Sequence, residues 1–184
     1  KQGILYTTAT ATDRYATWDV DSDEITLRSL VKPVGAMAIT PTGGSMLAFH
    51  TKADTADASA TSPFYDSWAI TMIDLGDYRT NPLKLPAMLN GYANSTNGNY
   101  GYFIMKDEPY LEVLHYESLI YDQVTLGSDP VYLGVLPDLN TSDGDEPPVW
   151  VSQEHELGRI TFYDTDDESL ETITGFELNS RIED

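Results

Sequence analysis

At 184 residues the chain is long enough for one domain with a real core, and its 41% hydrophobic content excludes wholesale disorder. Ten Lys and Arg against 30 Asp and Glu give a formal charge of −20. That field repels phosphate backbones and anionic membrane surfaces, so no nucleic-acid partner is expected; it attracts cations and basic protein patches, or simply keeps an exposed protein soluble.

There is no Cys, which removes disulfide scaffolds and thiolate metal sites. No apolar run approaches the roughly 20 residues of a transmembrane helix. A Cys-free, acidic chain rich in Tyr, Thr and Asn suits an extracytoplasmic setting. It starts at Lys1 without Met or signal peptide and so reads as a mature product or a piece of something longer.

Taken in order, the chain reads as short strands separated by turns, and helical spacing fails nearly everywhere. Leu5–Thr7 is a first apolar run; Pro33–Thr51 reads as strand, tight turn and strand, with Pro41–Ser45 breaking the alternation. Further alternating strands are expected at Ile25–Leu30, Pro82–Leu85, Gln123–Leu126 and Leu170–Ile173. Each follows an apolar or aromatic residue plus an acid: Val20-Asp21, Ile73-Asp74, Tyr116-Glu117 and Tyr163-Asp164. These pairs recur about 43 to 53 residues apart, and the longest interval contains an insertion covering roughly 53–67. Four strands per such interval is the pattern of a β-propeller blade, whose neighbours must stack to bury its two faces. The predicted fold is all-β, a β-propeller region over 1–184 with about four blades of four antiparallel strands. The blades fall at 1–30, 33–85, 86–127 and 129–175, and 177–184 begins a closing or next-blade strand.

The opening Pro33-Val34-Gly35-Ala36-Met37-Ala38-Ile39 and its Pro41-Thr42-Gly43-Gly44 turn resemble blades of the YVTN/YncE-like, lactonase-like propeller superfamily. The resemblance implies a propeller of the kind common in secreted, periplasmic or surface-attached bacterial proteins. The third blade departs from the pattern, with Asn94–Asn99 in place of the Pro-x-Gly-Gly turn. Lys1–Thr8 aligns with the second strand of a blade whose first strand is missing. Either Glu177–Ile182 completes that blade and closes a four-bladed ring, or the chain is the C-terminal half of a larger propeller, which another chain or segment completes. The second reading is favoured.

The propeller rule gathers about half the acids on one hairpin face, including Asp21, Asp23, Asp74, Asp77, Asp122, Asp164 and Glu146. Within that face Asp138, Asn140, Asp143 and Asp145 surround a Gly turn and supply hard oxygen ligands of the kind Ca2+ takes. Asp19–Glu24 has D-x-D-x-D spacing without the Gly. Asp, Asn and Gly also make ordinary solvated turns. The opposite face receives the 53–67 insertion, with Asp54, Asp57, Tyr65 and Asp66, and the turns carrying Asp107, Glu154 and His155. A long insert in a compact repeat points to binding.

No nucleophile elbow or phosphate loop occurs, so no catalytic residue is assigned. Trp18, Trp68 and Trp150 read as inter-blade core, and His50 and His115 as packed or edge histidines. The leading functional expectation is a non-enzymatic module binding a protein or glycan partner. The alternative, a metal-dependent lactonase-like hydrolase, requires carboxylates, Asn or His from several blades around one divalent ion.

Overall fold

A computed structural model describes residues 1–118, 120–136 and 146–175. Among them the chain is all-β: fifteen strands in four antiparallel meanders, with no helix. It divides into two compact units, Lys1–Pro86 and Ala87–Asp184.

The first unit holds two sheets. One comprises β1 (Gln2–Tyr6), β2 (Arg14–Asp19) and β3 (Glu24–Ser29). The other comprises β4 (Val34–Ile39), β5 (Ser45–His50), β6 (Trp68–Asp74) and β7 (Thr80–Leu85). Alternation decides which residues meet: Tyr15 and Ile4 of the first sheet pack against Val34, Met46, Ala48 and Ile73 of the second.

The second unit repeats the plan with β8 (Leu89–Asn94), β9 (Tyr100–Met105), β10 (Tyr110–His115) and β11 (Tyr121–Thr125). Beside this sheet lies β12 (Pro130–Val135), β13 (Val149–Gln153), β14 (Arg159–Tyr163) and β15 (Leu170–Thr174). Tyr102, Ile104, Leu111 and Val113 pack against Val149, Val151 and Tyr163. Each such side chain contributes about 1.5–3 kcal/mol on burial, a gain that a lone sheet with both faces in water forgoes.

Small repeated devices fix the geometry. The innermost strand of each four-stranded sheet carries a bulge near its start, between Val34 and Ala36, Leu89 and Gly91, and Pro130 and Tyr132. The two tight turns Thr40–Ser45 and Ser95–Tyr100 are the same structure. In each, the first residue's N–H donates to the last residue's carbonyl, its side-chain oxygen accepts the last residue's N–H, and a Gly sits at positive φ, Gly43 at 70° and Gly98 at 74°. Losing the Pro of Pro41-Thr42-Gly43-Gly44 therefore changes nothing in the third sheet, because the hydroxyl and the Gly define the turn.

The hairpins show that the acid-based register slips by two residues in two sheets. Asp74 N–H donates to Arg79 O, His115 N–H to Ile120 O and Asp164 N–H to Ser169 O, and Asp19 pairs with Glu24 at the same separation. The equivalent residues are Asp19, Asp74, His115 and Asp164, rather than Asp21 and Glu117 in the first and third sheets. A two-residue slip keeps the inward–outward alternation, so periodicity cannot detect it.

The Trp residues are half-buried rather than core. Trp18 lies across its cross-strand partner Gly3, and Trp150 across Gly134, so each ring covers a glycine of its own sheet. Asn94 Oδ1 accepts from the hydroxyls of Tyr92 and Tyr116, both at 2.5 Å.

One layer of polar side chains recurs inside the sheets. Buried His50 bridges Pro33 O through Nδ1 (3.1 Å) and Thr71 Oγ1 through Nε2 (2.7 Å). At the equivalent place Gln153 Nε2 donates to Thr161 Oγ1, 2.5 Å away. At the third, Gln123 Nε2 donates to Glu112 Oε1 (2.8 Å), and buried Glu112 Oε2 has no partner.

Two outcomes are expected. Burial holds the His50 imidazole below its ordinary pKa, so His50 stabilises the fold above about pH 6.5 and loses that contribution as pH falls. H50Q, which copies Gln153, keeps the fold and flattens the thermal-stability profile between pH 7 and 5. Burial raises the Glu112 carboxyl, so its ionisation costs stability as pH rises above the ordinary Glu value. E112Q raises Tm at pH 7 to 8, and the gain disappears near pH 4.

Candidate interaction surface

The long β5–β6 connection is built around a cation. Lys32 lies in the junction between the first and second sheets and is 1% exposed. Its ammonium donates to Asp54 Oδ1 at 2.5 Å, Phe64 O at 2.9 Å and Lys52 O at 3.3 Å. Three acceptors satisfy its three protons, the condition for tolerating a buried lysine. Asp54 Oδ2 in turn accepts the N–H of Asp66 at 2.8 Å, so one carboxylate ties the start of the loop to its end. The Lys32 ammonium, and then the Asp66 N–H, hold the Asp54 carboxyl below the usual carboxylate range. Short local turns fill the remainder: Thr55 O accepts from Ala58 N–H, Ser59 O from Ser62 N–H and Ser62 O from Tyr65 N–H. Ser67 Oγ donates to Phe64 O at 2.6 Å.

This anchoring separates the candidate residues of the loop. Asp54 is a strut whose oxygens are both engaged by the protein. Asp57 and Tyr65 are exposed, and Asp66, at φ 47°, faces solvent with a long contact to Lys52 of 3.5 Å. What the shelf offers is an aromatic ring and two carboxylates on a fixed backbone.

In the second unit Asp107 occupies a tight turn at φ 59°, a conformation Asp tolerates better than most residues, and is exposed. Glu154 N–H donates to Asp129 O, leaving its side chain exposed. His155 Nδ1 accepts the N–H of Leu157, and its carbonyl accepts from Gly158, so His155 shapes its own turn.

The acidic hairpins are also engaged locally. Asp19 Oδ1 accepts the N–H groups of Asp21 and Ser22, which lowers its pKa. Asp21 pairs with the N-terminal ammonium at 2.7 Å, and Asp23 Oδ1 accepts Trp18 Nε1–H. Buried Glu146 caps the 95–97 turn, accepting from Thr96 N–H and Asn97 N–H, while its own N–H donates to Asp166 Oδ2. Asp138, Asn140, Asp143 and Asp145 lie outside the described residues. Among the described residues no three His, Asp or Glu side chains converge to hold a metal ion.

Sequence reasoning missed Lys32 altogether. Its only signal is a basic residue at an apolar junction, Leu30-Val31-Lys32-Pro33, in a chain with few bases. It also missed a polar cleft of about 150 Å3 in the first unit, where the Arg28 guanidinium lies 3.6 Å over the Tyr78 ring and donates to Thr17 Oγ1.

No protein-family model matches the chain, and no curated protein matches it. Solved structures do. TolB from Acinetobacter baumannii aligns with a TM-score of 0.52 at 15% identity, covering 91% of this chain and 39% of TolB. Kuenenia stuttgartiensis hydrazine synthase gives 0.53 at 14%, covering 88% and 44%. A functionally unknown protein from Desulfotomaculum acetoxidans gives 0.55 at 11%, covering 93% and 49%. At these identities the likeness establishes the β-propeller fold and nothing about activity. The chain spans less than half the length of each of these neighbours.

Replacing Lys32 tests the anchor. K32M leaves the Asp54 carboxylate half-buried without its cation and is expected to cost about 2–4 kcal/mol of stability in chemical denaturation. D54N keeps one acceptor for the Lys32 ammonium but turns its amide NH2 toward the Asp66 N–H and leaves buried Lys32 without a countercharge, so it destabilises as well. Equal, negligible effects of the two would show that the loop stands without the pair.

Proposed function

We propose that this chain is an extracytoplasmic, non-enzymatic interaction module, part of a larger propeller of the YVTN/YncE-like kind, that binds a protein or glycan partner. The contact runs through the Asp57, Tyr65 and Asp66 side of the β5–β6 shelf. The observation that carries this reading is the Lys32–Asp54–Asp66 strut. A loop of such length without secondary structure loses much conformational freedom when it orders. Here that cost is met inside the fold, so an exposed Tyr and two carboxylates meet a partner already ordered.

The chemistry of the shelf narrows the partner. A rigid aromatic ring gives contact area at low entropic cost, and neighbouring carboxylates favour basic peptide groups or sugar hydroxyls. The acidic field of the chain speeds encounter with a basic partner and weakens with salt. A Cys-free, strongly acidic composition accords with an extracytoplasmic location.

A photo-crosslinking residue placed at Tyr65 is expected to capture one dominant species on the producing cell's surface or in its envelope fraction. The same residue at Asp77, in the β6–β7 hairpin, captures none. A glycan array read with the chain and with Y65A separates the sugar from the protein outcome. Equal capture at both positions, or no capture and no array signal, contradicts the reading.

A further inference from the structure

The first sheet differs from the others in two ways, an uncovered face and an open edge. Hairpin register makes Trp18 of β2 equivalent to Ile73 of β6 and Tyr163 of β14. Cross-strand pairing then makes Leu5 of β1 equivalent to Ala48 of β5 and Val151 of β13, and Gly3 equivalent to Met46 and Val149. In the second and fourth sheets these positions are between 0 and 5% exposed, because the preceding sheet of the same unit covers them. In the first sheet Leu5 is 49% exposed and Trp18 only half-buried.

The outer strand extends the same face with Ile25 at 60% and Leu27 at 67% exposure. At those positions β7 carries Thr80 and Pro82, and β15 carries Leu170 and Thr172. Leu5, Trp18, Ile25 and Leu27 thus form one apolar patch on neighbouring strands, larger than scattered surface residues would make.

The second difference is an open edge. The strands equivalent to β1 are β5, β9 and β13, and each pairs on both sides. Among the described residues β1 pairs with β2 alone, leaving one side of Gln2–Tyr6 without a ladder. Free edges and uncovered apolar faces are both liabilities that propellers remove by repetition.

We propose that this face receives a further β-sheet blade and this edge the first strand of its own sheet, both encoded in the same polypeptide outside these 184 residues. That blade presents an apolar face like the Tyr102, Ile104, Leu111 and Val113 face that covers Val149, Val151 and Tyr163. The inference rests on the larger-propeller part of the reading above and adds which surface takes the missing blade. Two observations favour this occupant. The chain aligns over 39 to 49% of propeller-fold neighbours while being itself covered to 88% or more. A second copy, the obvious competitor, would bring together two chains of formal charge −20.

The test uses L27E, a change that a solvent-exposed strand position tolerates, with I120E in the β10–β11 hairpin as an exposed control. In the polypeptide as its gene encodes it, L27E is expected to lower Tm by roughly 5 °C or more, whereas I120E leaves it within about 1 °C. In the 184-residue chain alone, neither change moves Tm appreciably, and light scattering gives a monomer. An encoded polypeptide longer than this chain in which L27E is silent overturns the assignment of the face while sparing the larger-propeller reading. An encoded polypeptide with no additional blade overturns both. A 184-residue chain that dimerises, with L27E restoring the monomer, makes a second copy the occupant and also overturns the proposal.

Discussion

Within each unit the two sheets bury apolar side chains against each other, Tyr15 on Met46 and Ile73 in one and Ile104 and Val113 on Val149 and Val151 in the other, so neither sheet of a pair is stable alone. That constraint, rather than any single contact, organises the sequence. It explains why β9, β10, β13 and β14 are buried or half-buried throughout while β3, β11 and β15 are mostly exposed. The former lie where sheets meet and the latter at the rim. It explains why small devices repeat at fixed places. A bulge near the start of each innermost strand and a hydroxyl–Gly turn at two of the tight connections keep the faces parallel enough to interlock.

One layer of buried polar side chains recurs in the three four-stranded sheets, and each of them solves the problem differently. His50 with Thr71 and Gln153 with Thr161 are satisfied pairs. Glu112 is satisfied on one oxygen only. Such a group favours its neutral form, which links the stack to pH without involving a binding site. The candidate binding groups lie instead on the connections, where the stack holds the backbone and leaves side chains exposed. The β5–β6 shelf carries this furthest, because its own buried Lys32 extends the rigidity of the sheets into a loop.

Much of the fold was legible because period-2 alternation and turn residues are local signals. Ile25–Leu30, Gln123–Leu126 and Leu170–Ile173 lie within one or two residues of β3, β11 and β15. The failures share a cause. Asp21 and Glu117 stood in for Asp19 and His115 because a slip of two preserves alternation. Trp150 was placed between sheets because size and hydrophobicity do not reveal a glycine, Gly134, on the next strand. Asn94–Asn99 looked like a departure because Pro is conspicuous and a hydroxyl is not. In the shelf, Asp54 and Asp57 are the same residue type three positions apart; only a lysine 22 residues away decides that one is a strut and the other free.

The central claim is that the open edge and face of the first sheet are filled in the working protein. Amide hydrogen exchange across β1 in the polypeptide as encoded tests it most directly. The account predicts that Gln2–Tyr6 is protected to the degree seen in β5 and β13, which are paired on both sides. Exchange over Gln2–Tyr6 as fast as at an open edge, with β5 and β13 protected, would contradict it.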